Sequence, residues 1–212
     1  MNAPPCLPQR RIDVTGLACR RGERVLFSNI GFSLGPGRAL LLRGPNGAGK
    51  TTLIKTLAGL LPPEAGTITV SGRGADDRPG TDMHLLAHLA AAKGRLTVEE
   101  NLGFWRAING GSGDLGAALA TVGLGRIADL EAGHLSAGQA RRLALARLIV
   151  SPRPIWLLDE PTAALDAEGE KLVGRLIDAH LAQGGSCIAA THLPIPIAQG
   201  ERVDVLQLGG AA

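Results

Sequence analysis

Residues 39–42 (Ala-Leu-Leu-Leu), 155–158 (Ile-Trp-Leu-Leu) and 187–190 (Cys-Ile-Ala-Ala) are short runs that are apolar throughout. A short run with no polar face reads as a strand buried on both sides, and 203–206 reads as a further, less apolar one. Helical stretches lie between them. The first runs from Lys50 to about Ala58 and is stopped by Gly59 and Pro62-Pro63. Thr97-Val98-Glu99-Glu100 has capping-box spacing and starts a helix that carries Phe104 and Trp105. Asp114 opens another. Ser136 caps a third that runs through Arg147, with Pro152 beyond its end. Residues 165–183 place Leu172, Leu176 and Ile177 at core spacing on a last helix. Upstream, residues 12–14, 24–27 and 30–34 read as short strands with Gly22 and Asn29 as turn residues, and 67–70 as another. Residues 1–10 read as a loose tail.

Buried strands alternating with helices predict an α/β fold: a parallel sheet covered on both faces, with its chemistry at the carboxyl ends of the strands. The antiparallel β part precedes it, and a helical subdomain spans about 90–150. The 212 residues suit a single domain over 1–212, with no internal repeat or long linker. No window approaches the roughly 18 apolar residues of a membrane helix, so a membrane is reached only through partners. Cys6, Cys19 and Cys187 are too few and too far apart for a disulfide framework or zinc site, which fits a reducing cytosol. The net charge of +3 is spread over pairs such as Arg10-Arg11, Arg20-Arg21 and Arg141-Arg142 that read as solvated surface, so no nucleic-acid footprint is expected.

The candidate chemistry sits where the sheet rule puts it. Gly44, Pro45, Asn46, Gly47, Ala48, Gly49, Lys50 and Thr51, with Thr52 beside them, follow a predicted strand and open a predicted helix in the pattern G-x-x-x-x-G-K-[ST]. Glycines let successive amides turn toward phosphate, the helix N-terminus favours negative charge, and Lys50 adds a full positive one. The Thr51 hydroxyl suits Mg2+. Asp159 and Glu160 end a buried strand, where an acid is costly unless it meets a cation. Asp159 is read as a magnesium holder and Glu160 as the group that polarises the attacking water. Leu135, Ser136, Ala137, Gly138 and Gln139 place a hydroxyl and a glycine at a helix start, which also favours a phosphate.

The Leu135–Gln139 string resembles the signature motif of ABC transporter ATPases. Residues 161–166 resemble the D-loop of that family, and Thr191-His192 stands where the family places its switch histidine. The resemblance covers about residues 11–208. It implies the ABC type of P-loop NTPase fold, with a RecA-like core. It also implies ATP and Mg2+ as ligands, Glu160 and His192 as catalytic residues, and a head-to-tail dimer. In that dimer ATP on one P-loop meets the signature of a second copy. Residues 100–105 (Glu-Asn-Leu-Gly-Phe-Trp), 135–148, 161–166 and 184–192 resemble the CcmA branch, which implies haem export in cytochrome c maturation. That branch implies a CcmB-like membrane subunit with CcmC- and CcmD-like proteins, at the cytoplasmic face of the bacterial inner membrane. ABC ATPases for another substrate, or outside transport, share the same catalytic residues. The five histidines are dispersed and form no haem motif, so haem enters through resemblance alone.

Two positions depart from the family. With no Tyr in the chain, Arg21 aligns with the usual adenine-stacking aromatic, which predicts weak base discrimination. No Gln occurs between Asp82 and Thr97, and Leu89 falls at the usual Q-loop position beside His88.

Overall fold

The computed structural model describes residues 6–72, 82–87, 92–198 and 200–209. The chain begins with a hairpin of two long strands, β1 (Arg11–Arg21) and β2 (Arg24–Leu34), joined by a two-residue turn at Gly22. Asn29, expected as a turn, instead sits inside β2 at φ 52, where the register with β1 shifts as a β-bulge. β4 (Ala65–Ser71) joins the other edge of β1 to complete a three-stranded antiparallel sheet.

The second sheet is parallel: β5 (Met83–Leu86), β6 (Ile155–Asp159), β7 (Ser186–Ala190), β3 (Ala39–Arg43) and β8 (Val203–Gln207), in that spatial order. The apolar runs behave as expected, since β6 and β7 are buried along their whole length. β5 was not foreseen. Its pattern alternates half-buried and buried residues around His84, which a search for uniformly apolar runs passes over.

Side chains alternate across the parallel sheet into two cores. Leu40, Leu42, Ile155, Leu157 and Ile188 meet Leu53, Ile54 and Leu57 of α1 (Lys50–Leu57), together with Ile12, Val14 and Leu17 of the antiparallel sheet. On the other face Leu41, Leu86, Trp156 and Leu158 meet α4 (Ala137–Val150) and α5 (Ala167–Ala182). The same core continues into α2 (Val98–Ile108) and α3 (Leu115–Thr121) through Val98, Leu102 and Leu119. Full burial of one such leucine contributes roughly 1.5–3 kcal/mol, so this core ties the helical segment to the sheet.

The predicted caps are present. Thr97 accepts from the Glu100 amide at 3.1 Å while its own amide donates to Glu100 Oε2 at 2.8 Å. Asp114 caps α3; α5 starts later than the expected residue 165, at a cap not foreseen, Asp166. Helix α4 runs on to Val150 before Pro152. The expectation of a loose tail is corrected from Leu7 onward. The Leu7 amide donates to Gln183 O at 2.9 Å, and Arg10 is buried in an ion pair with Asp82 at 2.7 Å.

Two histidines are enclosed in the second core. His180 stacks on Trp156 with ring centroids 3.9 Å apart, and His84 Nε2 lies 2.7 Å from Ser151 O. Burial pushes both pKa values down from 6.5 to about 4. The unfolded chain therefore takes up protons that the folded chain refuses as pH falls from about 6.5 to about 4. Each unit of separation corresponds to about 1.4 kcal/mol. The melting temperature is expected to drop steeply through that window, and a flat profile there contradicts this account of the two rings.

Candidate functional site

The parallel sheet decides which residues can meet. β7 lies between β3 and β6, and Leu42 of β3 and Asp159 of β6 are both level with Ala190 of β7. Three chain segments therefore leave the sheet side by side: the Gly44–Gly49 loop, the turn beginning at Glu160, and the turn carrying His192.

The first loop ends at Gly49, which caps α1 at φ 95 with no side-chain cap. A left-handed cap is where glycine is needed, because a β-carbon is disfavoured at that φ. The first amides of a helix have no intrahelical partner, so this uncapped end suits an anion. Lys50 is 7% exposed, and its Nζ donates to Gly44 O at 2.7 Å and Pro45 O at 3.1 Å. The ammonium is thus held over the loop that would cradle phosphate.

The buried Asp159 carboxylate accepts from Thr51 Oγ1 at 3.0 Å. These residues are 108 apart in sequence, and only the strand order brings them together. Magnesium takes one or two protein oxygens and fills the rest of its shell with water and phosphate, so a hydroxyl beside a carboxylate fits it.

Glu160 has φ 48, and its amide donates to Ala190 O at 2.8 Å. Its Oε2 lies 2.7 Å from His192 Nδ1. A carboxylate can only accept, so Nδ1 carries the proton and Nε2 is left for another partner. Thr191 fixes this turn, since its Oγ1 donates to Leu193 O at 2.7 Å.

A cavity of about 860 Å³ opens over the Gly44–Gly49 loop and Glu160. Asn46, Gly47, Gly49, Lys50, Thr51, Thr52 and Glu160 line it, together with Arg20, Arg21, Leu26 and Pro62 from elsewhere in the chain. Leu135–Gln139 do not line it. Ser136 caps α4 instead, accepting from the Gln139 amide at 3.2 Å, while Gln139 Oε1 accepts from the Ser136 amide at 2.9 Å. A β-carbon on Gly138 would lie 2.8 Å from Ala164 O, so only glycine lets α4 approach the 161–166 loop this closely.

Residues 27–163 match the ABC transporter family. Over 93% of this chain the sequence is 52% identical to the cytochrome c biogenesis ATP-binding export protein CcmA of Rhodopseudomonas palustris strain BisB5, covering 97% of that protein. It is 49% identical to the protein of the same name from Rhizobium meliloti strain 1021, covering 92% of this chain and 97% of that one. The chain belongs to the CcmA family of ABC transporter ATPases. The fold agrees. A putative ABC transporter ATP-binding protein from Pyrococcus furiosus superposes with a TM-score of 0.80 at 23% identity, over 93% of this chain and 97% of the other.

As an ABC ATPase this chain binds and hydrolyses a nucleoside triphosphate. Arg21 is exposed and lines the cavity, in keeping with its expected place beside the base. A guanidinium can lie on any purine face without reading its edge. GTP turnover is therefore expected within about tenfold of ATP turnover, the span of about 1.4 kcal/mol. Much slower GTP hydrolysis contradicts this. His88 and Leu89 lie outside the described residues.

Sequence reasoning missed one residue here. The Arg141-Arg142 pair was expected at the solvated surface, but Arg141 is 3% exposed. It donates to backbone carbonyls at the end of β6 and beside β5. Burial pushes its pKa down, opposed by Asp159 and Glu160. Arg142 is half-buried and reaches Asp166 at 2.9 Å. An arginine pair in sequence does not reveal that one member turns inward.

Proposed function

We propose that this chain powers haem export or delivery for cytochrome c biogenesis, through ATP hydrolysis coupled to a membrane subunit. The relatives' names carry the biological part of this reading, since they are called cytochrome c biogenesis ATP-binding export proteins. The observation that carries the chemical part is the convergence of Lys50, Thr51, Asp159, Glu160 and His192 at the carboxyl end of the central strands of the parallel sheet.

In this reading the Gly44–Gly49 loop and Thr52 hold the phosphates by their backbone amides, and Lys50 exchanges its loop carbonyls for phosphate oxygens. Thr51 and Asp159 would hold magnesium, which neutralises charge on the β- and γ-phosphates. Glu160 accepts a proton from the attacking water, and His192 orients Glu160 while its Nε2 faces the γ-phosphate. Leu135–Gln139 complete the site of a second copy, which agrees with their absence from the cavity of their own chain. The chain acts as a single ATP-binding domain, with residues of about 90–150 as a helical subdomain.

No helix among the described residues is long and apolar enough to cross a membrane. Attachment is therefore assigned to a CcmB-like membrane subunit, with CcmC- and CcmD-like proteins, at the cytoplasmic face of the inner membrane. In fractionated cells the chain is expected to sediment with inner membranes only when that subunit is present. Equal sedimentation in its absence contradicts this assignment.

A further inference from the structure

Helix α4 starts at the Ser136 cap, and Arg141 points from its second turn into the protein. The Arg141 guanidinium donates from Nη2 to Asp159 O at 2.6 Å and to the Glu160 carbonyl, and from Nε to Pro161 O at 3.3 Å. Its Nη1 donates to Ala87 O at 2.7 Å, just past the end of β5. Three consecutive carbonyls starting at the last residue of β6, and one beside β5, thus converge on one buried cation.

A helix face packed against a sheet ordinarily takes an apolar residue, and burying a charge is costly unless its donors are all used. Arginine repays that cost through a planar fork of five donors in fixed geometry, which no other side chain supplies. What the fork holds is an unfavourable turn. Glu160 has φ 48, a conformation disfavoured for a residue with a β-carbon. With the Glu160 carbonyl drawn toward α4, its amide meets Ala190 O and its carboxylate meets His192.

We propose that Arg141 is a positioning residue for ATP hydrolysis: it locks the Asp159–Pro161 backbone so that the Glu160 carboxylate stays aimed into the nucleotide cavity. The proposal rests on the reading of Glu160 as the group that activates water. It also makes α4 the mechanical link between the Ser136 end and the Glu160 turn within one chain.

The test is a double-mutant cycle on the full chain, reading kcat, KM for ATP and melting temperature. Arg141→Gln is expected to lower kcat on the order of 10²-fold with KM unchanged, the scale of a small misplacement of a reacting group. Arg141→Lys keeps the charge but reaches fewer carbonyls, and recovers part of the rate. In a Glu160→Gln background neither substitution lowers kcat further, because the group being positioned is already gone.

A merely structural Arg141 gives a different pattern: a lower melting temperature, a parent-like kcat per active molecule, and additivity with Glu160→Gln. That pattern overturns the proposal. If Arg141→Gln does not fold, Arg141→Lys in the same cycle decides between the two patterns. A parent-like rate for Glu160→Gln alone overturns the reading of Glu160, and this proposal with it. Additivity with an inactive Glu160→Gln overturns this proposal alone.

Discussion

Glu160→Gln is expected to lower ATP turnover by about 10²–10⁴-fold, the range for removing a general base, while ATP binding persists. The substitution keeps the shape of the side chain and removes its ability to take a proton. The backbone that places it is unaffected, because the Glu160 amide and carbonyl are committed to Ala190 and Arg141. Phosphate contacts from the Gly44–Gly49 loop and Lys50 also remain, so the nucleotide stays bound. A dimer closed around uncleaved ATP should then accumulate, visible as an ATP-dependent shift to twice the mass in size-exclusion chromatography. Hydrolysis at the parent rate contradicts the assignment of Glu160.

Lys50→Ala acts one step earlier. It removes the ammonium held over the loop and leaves the Gly44 and Pro45 carbonyls without their donor. A hydrogen bond to a charged group contributes about 1.5–3 kcal/mol, which sets the least loss of ATP affinity expected. Turnover should fall further, by about 10²–10³-fold or more, because charge on the γ-phosphate is redistributed as it leaves and a donor aimed there is lost. Equilibrium binding of a fluorescent ATP analogue and steady-state hydrolysis separate the two effects. Parent-like values in both contradict the placement of Lys50 on phosphate.

Sequence legibility followed how local the cause was. The caps at Thr97 and Ser136 are set by residues three apart; the Thr97 capping box formed as read, and Ser136, read as a cap, also closes a box with Gln139. The uniformly apolar runs became β3, β6 and β7 because burial on both faces leaves no polar alternation. Less was legible where partners are distant. β4 looked like any other strand, yet it pairs with β1 outside the parallel sheet, a choice made by packing over α1. β5 mixes buried and half-buried positions around His84 and gives no clear period. In the site, the motifs named the phosphate loop, the two acids and the histidine. The sheet order then set the 3.0 Å contact between Thr51 and Asp159. The Glu160 turn and its Arg141 brace were invisible, because a buried arginine and a surface one read alike until the carbonyls it meets are placed in space.

The most direct test of the central claim is haem-stained c-type cytochrome content in cells whose only copy of this gene carries Lys50→Ala. The account predicts that c-type cytochromes disappear while b-type cytochromes, whose haem is not covalently attached, persist. Unchanged c-type cytochromes with an inactive ATPase would contradict the role in cytochrome c biogenesis.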